Sequence, residues 1–466
     1  MPSLRHVLPI ALLSCPPSLA LAADPLLEPP AHPFLTFEHP QDWTLSATLF
    51  VFGKPDCDVV AWRLDQASVA FPIMSKTAGA RADTSRATAE LEFEQRLFDD
   101  TPTFLEGDRA GADLLRLDAN DVSASKFMLN VKHRVVAWRT KFDESRLDDL
   151  NWPTQPWPDE AAAYLTPQPF IDPVNTDPTA HEAINRLVAR WTNGADPRSV
   201  RPIDLAKWFA AQTVNEFQPS GTAQVGNEFG LEGFELQTLA KTINTRRGTD
   251  FDVANVLTAA YRRAGLPARL VIAYVEPEDE PRRRRLLPTE NRPVEEIAEK
   301  DADVIYKYDL NHGKRDEAGN PLPPKMLTVH IAFSETRKES HNLVAAGGGA
   351  QHLHPYVEFY LYDEYTQVGG WIPVDVAMMR DKSSRAPTDL NASWRYFGNH
   401  DELDRYVPVS IGYGPPPGTT HVARPAFWGW TQKPTPTLPV RMIDLLMLSA
   451  DRTPSNSPLR PRDTPR

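Results

Sequence analysis

From Asp250 to Val275 the chain reads as a largely buried helix joined almost without a loop to a buried strand. Over Asp250–Ala264 the apolar residues crowd beyond a single stripe, so the helix must be covered on several sides. Gly265 and Pro267 stop it and launch the next element. Leu266–Val275 is then an apolar run of strand length. A helix and a strand that both need covering call for an α+β core with further helices and strands around it.

The flanking sequence supplies those elements. Upstream, His181–Trp191 and Ile203–Phe217 carry apolar residues at three- and four-residue spacing, with Asp204 near the start of the second helix. Downstream, strands are expected at Leu327–Phe333, Val357–Tyr362 and Trp371–Val374, and a helix at Val440–Leu448. Before residue 150, short alternating runs at Thr44–Phe52, Ala89–Phe98 and Arg134–Phe142, separated by turn residues, predict an antiparallel β-sandwich-like domain. The chain holds 45 prolines in 466 residues, about twice the usual ~5% share, which suits a loop-rich β component. The organisation expected is a leader at 1–23, a β-rich domain at 24–150, a Pro/Trp-rich linker at 151–176 and a second domain at 177–415. That domain carries a polar insertion at 276–326, and a C-terminal extension (416–451) and a disordered tail (452–466) follow it.

Met1–Ala23 has a basic start, a short apolar stretch and the small-x-small pattern Ala20-Leu21-Ala22, which reads as an export signal. A periplasmic or extracellular protein is expected. The alternative is a lipoprotein anchored through Cys15, since Leu12-Leu13-Ser14-Cys15 resembles a lipobox. No later window is apolar over the ~18 residues a membrane span needs. The net charge of -12 disfavours nucleic acid and anionic bilayers as partners. Cys57, flanked by Asp56 and Asp58, reads as an unreactive thiol.

The string RRGTDFDVANVLTAAYRRAGLPARLVIAY resembles the first motif of the transglutaminase-like superfamily, through Gly248, Asp250, Asp252, Ala254, Arg262, Gly265, Leu266, Pro267, Ala268, Arg269 and Tyr274. HPYVEFYLYDEYTQVGGWIPVDV resembles the second and third, through His354, Tyr356, Glu358, Trp371, Pro373 and Asp375. YFGNHDELDRYVPVSIGYG resembles the closing strand, through Tyr396, Phe397, Gly398, Asn399, Asp401, Arg405, Ser410 and Gly412. The resemblance spans about residues 177–413 and implies a papain-like fold, with helices packed on an antiparallel sheet, preceded here by the β-rich domain.

It also implies a Cys-His-Asp triad, whose counterparts here are Asp250, His354 and Asp375. His354 would be the general base and Asp375 its orienter. Asp250 stands where the thiol nucleophile belongs. A carboxylate attacks an amide poorly and would have to form an anhydride, so thioester chemistry is not expected. The bland role for Asp250 is that of helix N-cap. A divalent metal between Asp250, His354 and Asp375 is the sharper alternative, although their spacing is not that of a usual ligand set, and no cofactor or metal is called for. Two functions follow. One is a catalytically degenerate module that binds peptides, cell-wall peptides or a partner protein. The other is a cysteine-independent amidase, peptidase or acyltransferase working through His354 and Asp375.

Overall fold

The computed structural model describes residues 24–53, 62–93, 96–98, 103–109, 112–124, 126–147, 150–227, 230–275, 295–298, 303–309, 316, 318, 320, 323, 326–332, 352–382, 387–413, 424–433 and 442–453. The Met1–Ala23 stretch expected to be a leader, Cys15, Cys57, the Arg282–Arg285 run and nearly all of the C-terminal tail lie outside them.

Two antiparallel sheets form the N-terminal part. The long strand Leu35–Gly53 pairs on one side with Lys126–Phe142 and on the other with Met442–Arg452. Within it Trp43, Leu45, Ala47, Leu49 and Val51 are buried, every second residue, as one covered face of a pleated strand requires. Thr88–Phe93 and Arg96–Phe98 extend this sheet at one edge, and the hairpin Gln224–Asn227 and Gly230–Phe234 extends it at the other. The second sheet runs in the order Gly429–Lys433, Trp62–Met74, Ala112–Ala124, Thr103–Arg109. Edge-to-face rings tie the two together, Phe127 against Trp430 with centroids 6.0 Å apart.

Both sheets thus include strands from the C-terminal end of the chain. The helix expected at Val440–Leu448 is instead the strand Met442–Arg452. Its Asp444, Leu446 and Leu448 are buried, with register partners Val51, Leu49 and Ala47 on Leu35–Gly53. Pairing with an open sheet edge outweighs local helix preference in so short an apolar run.

In the second part, the helices Pro178–Trp191, Pro202–Glu216, Leu239–Thr245 and Asp250–Arg263 form one layer. Below them lies a four-stranded antiparallel sheet in the order Val368–Val374, Leu353–Asp363, Ala268–Val275, Tyr406–Ile411. From Phe251 to Arg262 every residue of the Asp250–Arg263 helix is buried, and the helix packs on the two central strands. Gly265 takes φ +86°, the left-handed conformation that ends the helix without a Cβ penalty. The Leu327–Phe333 strand appears as Met326–Ala332, in a separate three-stranded sheet with Glu295–Ala298 and Asp303–Asp309.

One wall of the core docks on the N-terminal sheets. Thr140 and His400 exchange backbone hydrogen bonds, the Trp43 indole donates to the Asp404 carbonyl at 2.9 Å, and Arg139 pairs with the Asp404 carboxylate at 2.9 Å. The 151–158 segment lies along the core, with Trp157 Nε1 donating to the Gly265 carbonyl at 3.2 Å. Among the described residues no helix is long and apolar enough to cross a membrane.

Candidate functional site

The Asp250–Arg263 helix opens on a capping box, and its members are Thr249 and Asp252. Thr249 is the N-cap, its hydroxyl accepting from the Asp252 amide at 3.2 Å, while Asp252 Oδ2 accepts from the Thr249 amide at 2.8 Å. Asp252 Oδ1 takes the Gln237 amide as well, at 2.8 Å. The reading of Asp250 as N-cap is therefore overturned: Asp250 is the first helical residue, and the cap is complete without it. Its side chain is 44% exposed, and its Oδ1 lies 3.6 Å from Nη1 of Arg380 on the helix Val376–Lys382. Partial burial raises its carboxyl above the ordinary value, and the charges of His354 and Arg380 counter that only in part.

His354 stands on the strand Leu353–Asp363, and Asp375 directly follows the neighbouring strand Val368–Val374. His354 Nε2 donates to Asp375 Oδ2 at 2.8 Å. Asp375 is fully buried and collects further donors. Oδ1 caps the next helix by accepting from the Met378 amide at 2.9 Å, and Oδ2 also takes His400 Nε2 and the Tyr406 hydroxyl, each at 3.3 Å. Burial alone would raise the Asp375 carboxyl, but the two imidazoles outweigh it and hold the group well below the usual carboxylate range. Burial alone would likewise lower His354, yet Asp375, and behind it Asp250 and Asp381, push it upward. His354 is thus biased toward its charged form and fixed in orientation through Nε2.

The structure accordingly brings His354 and Asp375 into direct contact and sets Asp250 at the adjoining helix start, within electrostatic reach of both. Sequence reasoning passed over His400, Tyr406 and Arg380. His400 lies inside the quoted string YFGNHDELDRY, and a histidine amid aromatic and turn residues was the available signal. Its ring sits 5.1 Å from those of Tyr396 and Tyr406, and it is completely buried.

Other motif residues build the scaffold. Arg269 and Glu358 form a buried ion pair at 2.6 Å, with the Arg269 guanidinium 4.2 Å from the Trp371 ring centroid and Glu358 Oε1 accepting from the Ala78 amide at 2.7 Å. Arg262 pairs with buried Asp172 at 2.9 Å and donates to the Ala268 carbonyl at 2.8 Å, which closes the helix-to-strand turn. Among the described residues no three His, Cys, Asp or Glu side chains are grouped to hold a metal ion.

Residues 187–376 match the family described as Transglutaminase-like superfamily. No curated protein matches the chain. Among solved structures, it is similar to a Cytophaga hutchinsonii protein provisionally described as a cysteine protease, with 10% identity and a TM-score of 0.43 over 90% of this chain and 92% of that one. It is also similar to the periplasmic domain of TgpA from Pseudomonas aeruginosa, with 13% identity and a TM-score of 0.24 over 71% of this chain and 89% of that one. With its helical layer on an antiparallel sheet and the His354–Asp375 contact across two strands, the chain has a transglutaminase-like core, matched by the family over residues 187–376.

Proposed function

We propose that this domain lacks the thiol-based acyl transfer of the family it resembles and uses the surface around Asp250 and His354 to bind peptide, cell-wall peptides or a partner protein, in the exported setting that the Met1–Ala23 sequence suggests. The observation that carries this reading is the ion pair between Asp250 and Arg380 at the start of the buried helix. A carboxylate held by a guanidinium is a still weaker nucleophile toward an amide than a free one, and the anhydride it would form is too high in energy to serve as an acyl carrier. The His354–Asp375 pair remains useful without turnover, since an oriented imidazole offers a directional partner for a peptide carbonyl.

A second reading has one observation in its favour. Asp250 is not consumed as a cap, is partly open, and is electrostatically coupled to His354. That arrangement could activate water for amide hydrolysis without a covalent intermediate. The two are separated by assaying the full chain against glutaminyl donors with amines and against cell-wall peptides. Binding without product formation is expected. Turnover that disappears in His354→Ala would overturn the binding reading in favour of the hydrolase.

A further inference from the structure

Asp250 and His354 stand on different elements, a helix start and a strand start, and one stretch of chain touches both. Gln218–Pro219 pairs with Arg247–Gly248, and the Ser220 amide donates to the Gly248 carbonyl at 2.6 Å, just before Asp250. The hairpin of Gln224–Asn227 and Gly230–Phe234 follows. At its far end the Phe234 ring packs on Phe251 with centroids 5.0 Å apart, and the Gln237 amide donates to Asp252 Oδ1. The helix start is thus gripped on both sides of Asp250.

The same hairpin reaches the strand of His354, where Gln224 Nε2 donates to the Leu353 carbonyl at 2.9 Å. That carbonyl needs a donor from outside its own sheet. Leu353 lies opposite Tyr274, and the Val275 amide donates to the His352 carbonyl, so by antiparallel alternation the Leu353 carbonyl turns away from Ala268–Val275. On the other side the ladder with Val368–Val374 begins only at Val357. Gln224 therefore stands where a strand partner is missing, against the residue before His354. Its amide oxygen is closed off from solvent and has no hydrogen bond among the described residues. A buried acceptor left unmet is a cost, and the side chain keeps this position in spite of it.

We infer that the hairpin Gln224–Phe234 is the element that holds Asp250 and His354 in fixed alignment, with Gln224 a positioning residue for His354. Leu231 pairs with Leu446 of Met442–Arg452, so the hairpin is itself part of the N-terminal sheet built on Leu35–Gly53. The spacing across the site is then set by the β-rich part of the chain as well as by the helix and the strand that carry the two residues. This alignment belongs to the chain without ligand and holds under either reading of the function above.

The test follows the His354 ring by NMR titration in the full chain. His354 faces the carboxylates of Asp375, Asp250 and Asp381, which raise its pKa, and His400 shares Asp375 with it. Gln224→Met keeps the length of the side chain and removes its donor together with the unmet oxygen, so urea denaturation should show only a small change in stability. The His354 titration should fall by about half a pH unit, the scale of one neutral hydrogen bond lost beside the residue. Asp250→Asn should lower the His354 titration in the parent and lower it less in Gln224→Met, because the two groups are no longer held together. Gln224→Asn, whose amide is one methylene short of Leu353, should give the same pattern and serves if Gln224→Met does not fold. Reduced stability with the His354 titration and its response to Asp250→Asn both unchanged makes Gln224 a structural residue and overturns the proposal. So does a titration that falls while the response to Asp250→Asn keeps its full size, since the hairpin then does not align the two.

Discussion

Nε2 of His400 lies 3.3 Å from the Asp375 oxygen that His354 Nε2 approaches to 2.8 Å, so one carboxylate oxygen serves both imidazoles. The backbone of His400 is meanwhile paired in both directions with Thr140 on the strand Lys126–Phe142 of the N-terminal sheet. The β-rich part of the chain therefore sets the position of a residue that touches the dyad.

Replacing His400 by alanine should act through Asp375. With one donor gone, the remaining charge on Asp375 acts more fully on His354, whose titration should move to higher pH. The lost hydrogen bond to a charged acceptor should cost about 1.5–3 kcal/mol of stability. Histidine NMR titration and chemical denaturation measure the two. A purely space-filling role for His400 would lower stability and leave the His354 titration where it is.

Asp250→Cys tests the orientation of the helix start. The new thiol would sit at the first turn of a helix, near the Arg380 guanidinium and the imidazole of His354, all of which favour thiolate. Alkylation by iodoacetamide at neutral pH should be faster than for an unperturbed thiol by about tenfold, the gain in thiolate expected when a pKa falls from ~8.5 to about 7.5 or below. The advantage should shrink in Asp250→Cys combined with Arg380→Met. An ordinary rate would mean that Asp250 does not face these groups.

The central helix and strand were legible because burial on nearly every side leaves a mark in composition, and Gly265 and Pro267 mark the stop between them. The motif order also carried the His354–Asp375 contact, since a histidine at the start of one strand and an aspartate at the end of the next meet in an antiparallel pair. What could not be read depends on distant partners. Met442–Arg452 is a strand because Leu35–Gly53, at the other end of the chain, offers an edge. The choice of Thr249 over Asp250 as cap turns on one residue of register, both being good cap types, although Thr249 and Asp252 at capping-box spacing were a usable hint. Arg380 carried no signal at all, since a lone arginine near a helix end is ordinary until its surroundings are known.

Acid should expose a buried histidine. His133, on Lys126–Phe142, is 3% exposed, neither ring nitrogen has a hydrogen-bond partner, and burial lowers its pKa from 6.5 to about 4. As pH falls below 6.5 the unfolded chain takes up a proton at this site and the folded chain does not. Stability is therefore lost between pH 6.5 and about 4, at up to about 1.4 kcal/mol per pH unit. Asp444, raised to about 6 chiefly by burial, works in the opposite sense over part of this range, so the wild-type slope alone is ambiguous. In His133→Leu the slope attributable to this histidine should vanish, and stability at pH 7 should hold or rise as two unpaired nitrogens are removed. Urea denaturation at pH 7 and pH 4.5 checks both; equal pH sensitivity in variant and parent would refute the assignment.

Glu358 joins the dyad's strand to the N-terminal sheets, and its removal should be among the more damaging single changes in the core. The residue is fully buried, pairs with Arg269 at 2.6 Å, and accepts the Ala78 amide through its other oxygen. Glu358→Ala removes the carboxylate paired with a buried guanidinium whose other neighbours include the Trp371 and Tyr164 rings, at a cost of about 3–5 kcal/mol. Glu358→Gln keeps an acceptor for Ala78 while losing the charge, so its loss should be smaller. Hydrogen exchange distinguishes local from global damage. Because Trp43–Asp404 and Thr140–His400 still bridge the two parts, the Ala78 amide should lose protection in Glu358→Ala ahead of the Thr140 and His400 amides. Simultaneous loss at all three would mean instead that Glu358 holds the whole interface, and that the N-terminal sheets separate from the core when it is removed.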